Sequence, residues 1–146
     1  MVKTASYPTP QDAEAAFYEA LESADLDAMM QVWADDEEIV CIHPGGPRIC
    51  GYEAVRESWA RILGSGQRLK VQLSDVVYLQ GMMLSVHSLH ENIAVAGERR
   101  ARQPVVTTNI YLRGTGGWRM IAHHASPAPQ EPREGAAAAD EPKILH

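Results

Sequence analysis

Cysteine is scarce: Cys41 and Cys50 are the only two in 146 residues. They flank a short loop that a disulfide could close, but no CxxC pair exists and neither stands beside an obvious activating base. In a reducing cytosol both read as small, partly buried residues. No stretch approaches the ~20 uninterrupted apolar residues of a membrane-spanning helix, and Met1 to Thr9 has no apolar run of the signal-peptide kind. Positive charge is in deficit, with 13 basic against 19 acidic residues and a net charge of -6. That balance disfavours nucleic acid or an anionic membrane as partner. Internal repeats are missing. So is a glycine-rich phosphate loop, and no cofactor is expected. A cytoplasmic protein is the reading these absences leave.

What is present suits one globular domain, since 45% of the residues are hydrophobic and 22% charged. Thr9-Pro10-Gln11-Asp12 supplies a capping hydroxyl, a proline for the first helical position and an early carboxylate. Ala13, Ala16, Phe17, Ala20 and Leu21 then form one apolar stripe. Asp25 caps a second, short helix through Leu26, Met29, Met30 and Trp33, and a third runs from Tyr52 to Leu63 before the stop signal Gly64. Glu38 to Ile42 reads as a short strand. His43-Pro44-Gly45-Gly46-Pro47 is a turn. From Leu69 the apolar period becomes two, with one slip near Asp75-Val76. Further strands follow over Met82 to Val95, Val105 to Arg113 and Trp118 to Ser126. The pattern predicts an α+β fold, with three N-terminal helices packed on a curved antiparallel sheet of three or four strands. Residues 1–126 make the domain, and residues 127–146, rich in proline and alanine, make a C-terminal tail.

The element order, with Ala20-Leu21-Glu22-Ser23-Ala24-Asp25-Leu26-Asp27, Trp33-Ala34-Asp35-Asp36, His43-Pro44-Gly45, Gly51 and Gly117 to Ser126, resembles the cone-shaped nuclear-transport-factor-2-like (NTF2-like) superfamily. That group includes SnoaL-like cyclases, ketosteroid isomerase and the association domain of a calmodulin-dependent kinase. The resemblance implies the cone fold but not one chemistry. In ketosteroid isomerase a carboxylate base, a tyrosine and a protonated acid do the work. The positions that resemble theirs hold His43, Phe17 and Thr108 here. All three differ, so that mechanism does not transfer.

His43 nevertheless follows a strand and precedes a constrained turn, and an imidazole needs only a small change in pKa to act as acid or base near neutral pH. His123 and His124 are adjacent on a strand and point to opposite faces. Apolarity alone would turn Trp118, Met120, Ala122 and His124 inward, whereas the resemblance turns Ile121, His123 and Ala125 inward. We follow the second, making His43 and His123 the catalytic candidates. Phe17, Trp33, Trp59, His90, Asn92 and Thr108 are the expected ligand-binding residues, around a pocket for a small apolar or aromatic molecule. His87 and His90 face opposite ways, and no metal site is expected. The outer face would then carry Trp118, Met120, Ala122 and His124, with Asn109 and Tyr111 beside them. Such a face is apolar enough to predict a homodimer through the sheets. Two functions stay open: a cofactor-independent isomerase, dehydratase or cyclase, and a non-catalytic ligand-binding or assembly domain.

Overall fold

A computed structural model describes residues 5–99 and 103–129. The helices are α1 (Pro10–Ser23), α2 (Leu26–Val32) and α3 (Tyr52–Leu63). The strands are β1 (Val40–Ile42), β2 (Arg48–Cys50), β3 (Leu69–Gln80), β4 (Leu84–Val95), β5 (Val105–Gly114) and β6 (Gly117–Pro127). They form one sheet in the order β2-β1-β6-β5-β4-β3. All neighbours are antiparallel except β1 and β6, which run parallel. The fold is α+β, with three helices and a curved six-stranded sheet. The sequence pattern does not predict β2 or the β1–β6 pairing, because three residues, Arg48-Ile49-Cys50, are too few to show a period.

The helix ends follow their local chemistry. The Thr9 side chain accepts from the Asp12 backbone while the Asp12 carboxylate accepts from the Thr9 backbone, a reciprocal cap that satisfies two otherwise orphaned donors. Asp25 caps α2 through the Ala28 N–H. Trp33 lies just past α2 in extended conformation and bridges to Met120 of β6, so it enters the core as a strand residue rather than a helical one.

Two register shifts decide which side chains enter the cone. In β3 the slip expected near Asp75-Val76 occurs between Ser74 and Val77, with Asp75 at φ 51°. In β6 the pairing steps from Ile110–Ala122 to Tyr111–Met120, which leaves Ile121 as an extra residue. Side chains alternate along a strand, so one extra residue exchanges the faces. Trp118 and Met120 are therefore inside before the bulge, and His123 and Ala125 inside after it. The expected outer row is corrected accordingly. Trp118 and Met120 belong to the core. Asn109 and Tyr111 are fully buried, because Asn109 pairs with His123 and Tyr111 with Met120, and directly opposed residues share a face. Of the row named from sequence, His124 is exposed and Ala122 half-buried.

The core gathers Phe17, Met29, Met30, Val32, Trp33, Ile39, Val55, Trp59, Leu89, Tyr111 and Met120 between helices and sheet. Both cysteines are free thiols, Cys41 buried and Cys50 exposed. Residues 130–146, most of the expected tail, and residues 100–102 lie outside the described residues.

Candidate active site

His43 stands at the end of β1, half-buried, with its ring edge-on to Trp59 at 4.7 Å between centroids. Its Nε2 lies 3.0 Å from Ser58 Oγ, and the Ser58 hydroxyl donates to the Val55 carbonyl at 2.7 Å. A hydroxyl that has given its proton away can only accept from the ring. Nε2 therefore carries the hydrogen, and Nδ1 is left with a lone pair. Burial lowers the His43 pKa, and the Arg61 charge lowers it further, so the ring is neutral at pH 7. The Cys41 sulfur is 3.6 Å from the same Nε2. Burial pushes that thiol up to about 12, which rules out a thiolate partner at neutral pH.

Behind His43 the interior is filled with rings. His123 is 6.4 Å from His43, 5.0 Å from Phe17 and 5.8 Å from Trp59 between centroids, and Phe17 meets Trp59 at 5.5 Å. Burial pushes His123 down to about 3, with smaller contributions from His43 and His124. Its Nδ1 lies 2.6 Å from Asn109 Oδ1, Asn109 Nδ2 donates to the Tyr18 hydroxyl at 2.9 Å, and Tyr18 donates to Glu91 Oε2 at 2.6 Å. Burial raises the Glu91 pKa, and the Tyr18 hydrogen bond partly offsets that rise. A second set, buried except for Tyr78, lies farther along the same face. There Glu14 Oε1 is 3.1 Å from His87 Nδ1, His87 Nε2 is 3.0 Å from Ser85 Oγ, and Tyr78 donates to Glu14 at 3.0 Å. The indole N–H of Trp59 is buried with no protein partner, as is that of Trp33.

Of the residues expected from sequence, the structure gathers His43, His123, Phe17 and Trp59 at one place, with Trp33 in the adjoining core. His90, Asn92 and Thr108 are not there. β4 turns Ser85, His87, Leu89 and Glu91 inward, and β5 turns Thr107, Asn109 and Tyr111 inward. The alternating residues therefore lie on the outer face: His90 meets Asp75 at 3.1 Å, Asn92 meets Ser74, and Thr108 pairs with His124. His90, on the outer face, does not join His43 and His123. Among the described residues no cluster of metal-ligating side chains forms. Surface depressions of about 600 and 450 Å³ lie beside the β3–β4 hairpin and between α1 and α2, and neither is lined by His43 or His123.

Sequence reasoning misses Ser58, Tyr18, Glu91, Asn109, Glu14 and His87. One signal is present: Glu14, Tyr18 and Leu21 continue the apolar stripe of α1 along its edge at i, i+4 and i+7.

The depressed His123 pKa has a testable consequence for stability. An unfolded histidine binds a proton below its ordinary value of 6.5, but the folded one does so only near 3. Stability is therefore fully present above pH 6.5 and is lost as pH falls through that window. A pKa difference of one between the folded and unfolded chain corresponds to about 1.4 kcal/mol. Buried Glu91, with its raised pKa, acts in the opposite direction. The difference between wild type and His123→Gln isolates the histidine: urea titrations at a series of pH values should show the wild type losing a few kcal/mol more than the variant on acidification. Parallel curves would contradict the neutral, buried assignment.

Comparison with known proteins gives the family. The SnoaL-like domain model matches residues 11–130. A "putative calcium/calmodulin-dependent protein kinase type II association domain" from Thiobacillus denitrificans is 36% identical, with TM-score 0.78, over 86% of this chain and 99% of that one. A "putative dehydratase from the NTF2-like family" of Streptomyces avermitilis is 30% identical, with TM-score 0.71, over 80% and 91%. The F-box protein SKIP8 of Arabidopsis thaliana is 26% identical over 110 residues, which are 75% of this chain but 46% of that protein, so the chain spans about half the length of this curated relative. By the extent of the matched model, the chain belongs to the SnoaL-like domain family of NTF2-like proteins.

Proposed function

We propose that this protein binds a small, largely apolar molecule beside His43 and moves a proton on it without a cofactor, in an isomerisation, dehydration or cyclisation. The observation that carries this reading is a pair of neutral imidazoles, 6.4 Å apart, each with one nitrogen tied to a fixed protein partner. His43, nearer to solvent, accepts the proton at Nδ1 while Ser58 holds the ring's orientation. His123 stays neutral behind it. A ligand that reaches the Trp59 indole N–H, buried and without a protein partner, would find there a donor for a polar group. Low local dielectric strengthens any such bond to a developing oxyanion. The likeness to a "putative dehydratase" supports the same class of chemistry.

Deuterium uptake next to the carbonyl, followed by NMR in D2O over a panel of small cyclic ketones and β-hydroxyketones, tests this while the substrate is still unidentified. Wild type should accelerate exchange on at least one compound. His43→Gln, which retains a side-chain donor for Ser58, should lose roughly 10²–10⁴ of that rate. Full exchange in the variant would make His43 a turn residue. No exchange with wild type on any compound would favour the second reading.

That second reading is an assembly domain, and the outer face of the sheet favours it. Val77, Leu79, Leu84 and Leu112 are 42–67% exposed there, with Val86 and Ile110 between them by register. The likeness to an association domain points the same way. We propose a homodimer through this face, compatible with either function. Sedimentation at micromolar concentration should give twice the 16.0 kDa chain mass. Leu84→Glu with Leu112→Glu, a directly opposed pair, should give the monomer. A wild-type monomer would refute the interface.

A further inference from the structure

We propose that Tyr18 and Glu91 are positioning residues for His123: acting through Asn109, they keep the ring proton on Nδ1 and leave Nε2 as the bare nitrogen. This rests on the proton-transfer reading for its use, but its geometry stands independently. A carboxylate has no proton to give, so the Tyr18 hydroxyl, 2.6 Å from Glu91 Oε2, must be the donor. Its oxygen then accepts from Asn109 Nδ2 at 2.9 Å. An amide whose nitrogen is committed in this way turns its oxygen to the other side, and Oδ1 meets His123 Nδ1 at 2.6 Å. A carbonyl oxygen only accepts. Nδ1 must therefore carry the hydrogen, and a neutral ring has only one. The four residues come from α1, β4, β5 and β6, and none is more than 6% exposed, so bulk water does not replace a missing link.

The test is the tautomer itself, read from ring ¹⁵N shifts of histidine-labelled, ligand-free protein at neutral pH. Wild-type His123 should show a pyrrole-like Nδ1 and a pyridine-like Nε2. Tyr18→Phe removes the acceptor that orients Asn109, so the amide is free to turn and the Nε2 signal should move toward the pyrrole-like position. Adding Asn109→Asp to that variant should restore the wild-type pattern, because a carboxylate can only accept from Nδ1–H. A structural role alone would not produce this loss and recovery. A pyrrole-like Nε2 in wild type, or a folded Tyr18→Phe with unchanged shifts, overturns the proposal. Should Tyr18→Phe not fold, Glu91→Leu decides: with no carboxylate to take its proton, the Tyr18 hydroxyl is free to donate to Asn109 Oδ1, so the Nε2 signal should move toward the pyrrole-like position, and unchanged shifts overturn the proposal. Turnover plays no part in this readout. Failure of the His43 variants to change exchange would sink the proposed chemistry and leave the tautomer result intact.

Discussion

One extra residue in β6, Ile121, governs the interior, because everything beyond it points the other way across the sheet. Before it, Trp118 and Met120 complete the packing against Trp33 and α2. After it, His123 is aimed at Phe17 and Asn109. In an unbroken strand with Met120 inward, Ala122 and His124 would enter the cone and His123 would face outward. The bulge thus lets one strand supply an apolar end and a polar end to the same concave surface. It is a local cost in backbone pairing, and it is what brings a second imidazole to within reach of His43.

The interior that results is unusual in its polarity. Burying a hydroxyl, an amide, a carboxyl and an imidazole is unfavourable unless each finds a partner. Here each does, in a single file from Glu91 through Tyr18 and Asn109 to His123. The Glu14–His87 set is satisfied in the same manner by Tyr78 and Ser85. A domain needing only a core could fill this space with leucine and valine. The polar file therefore supports a role in chemistry rather than in folding. Meanwhile the apolar side chains of the same strands, Leu84, Val86, Ile110 and Leu112, are turned away from the helices.

That inversion explains which parts are legible in the sequence. Local chemistry carries its own signature: the Thr9 and Asp25 caps, the span of α3 and the slip in β3 are all readable. His43 after a strand and His123 on the last one emerge from the family resemblance. The faces of β4 and β5 do not, because binary patterning assumes the apolar side is the buried one. In these strands the half with Ser85, His87, Glu91, Thr107 and Asn109 is inside. His90 and Asn92 are accordingly assigned to the wrong surface by pattern, and Thr108 by the resemblance. The bulge at Ile121 leaves no mark either, since both alternations of Trp118 to Ala125 look equally plausible until pairing with β5 is known. Ser58 is hidden for another reason: its partner, His43, is fifteen residues away and joined to it only by the return of α3.

A polar file kept for chemistry would bring no gain in stability. The unfolding free energy reads this in a variant in which Tyr18→Phe, Glu91→Leu, Asn109→Val and His123→Leu replace it with apolar side chains nearer in volume. If the file is functional, the variant folds and matches or exceeds wild type, since replacing both partners of a buried hydrogen bond by apolar groups of the same shape is nearly neutral or stabilising. A variant that fails to fold, or that unfolds several kcal/mol more easily than wild type, would show instead that the file holds the cone together.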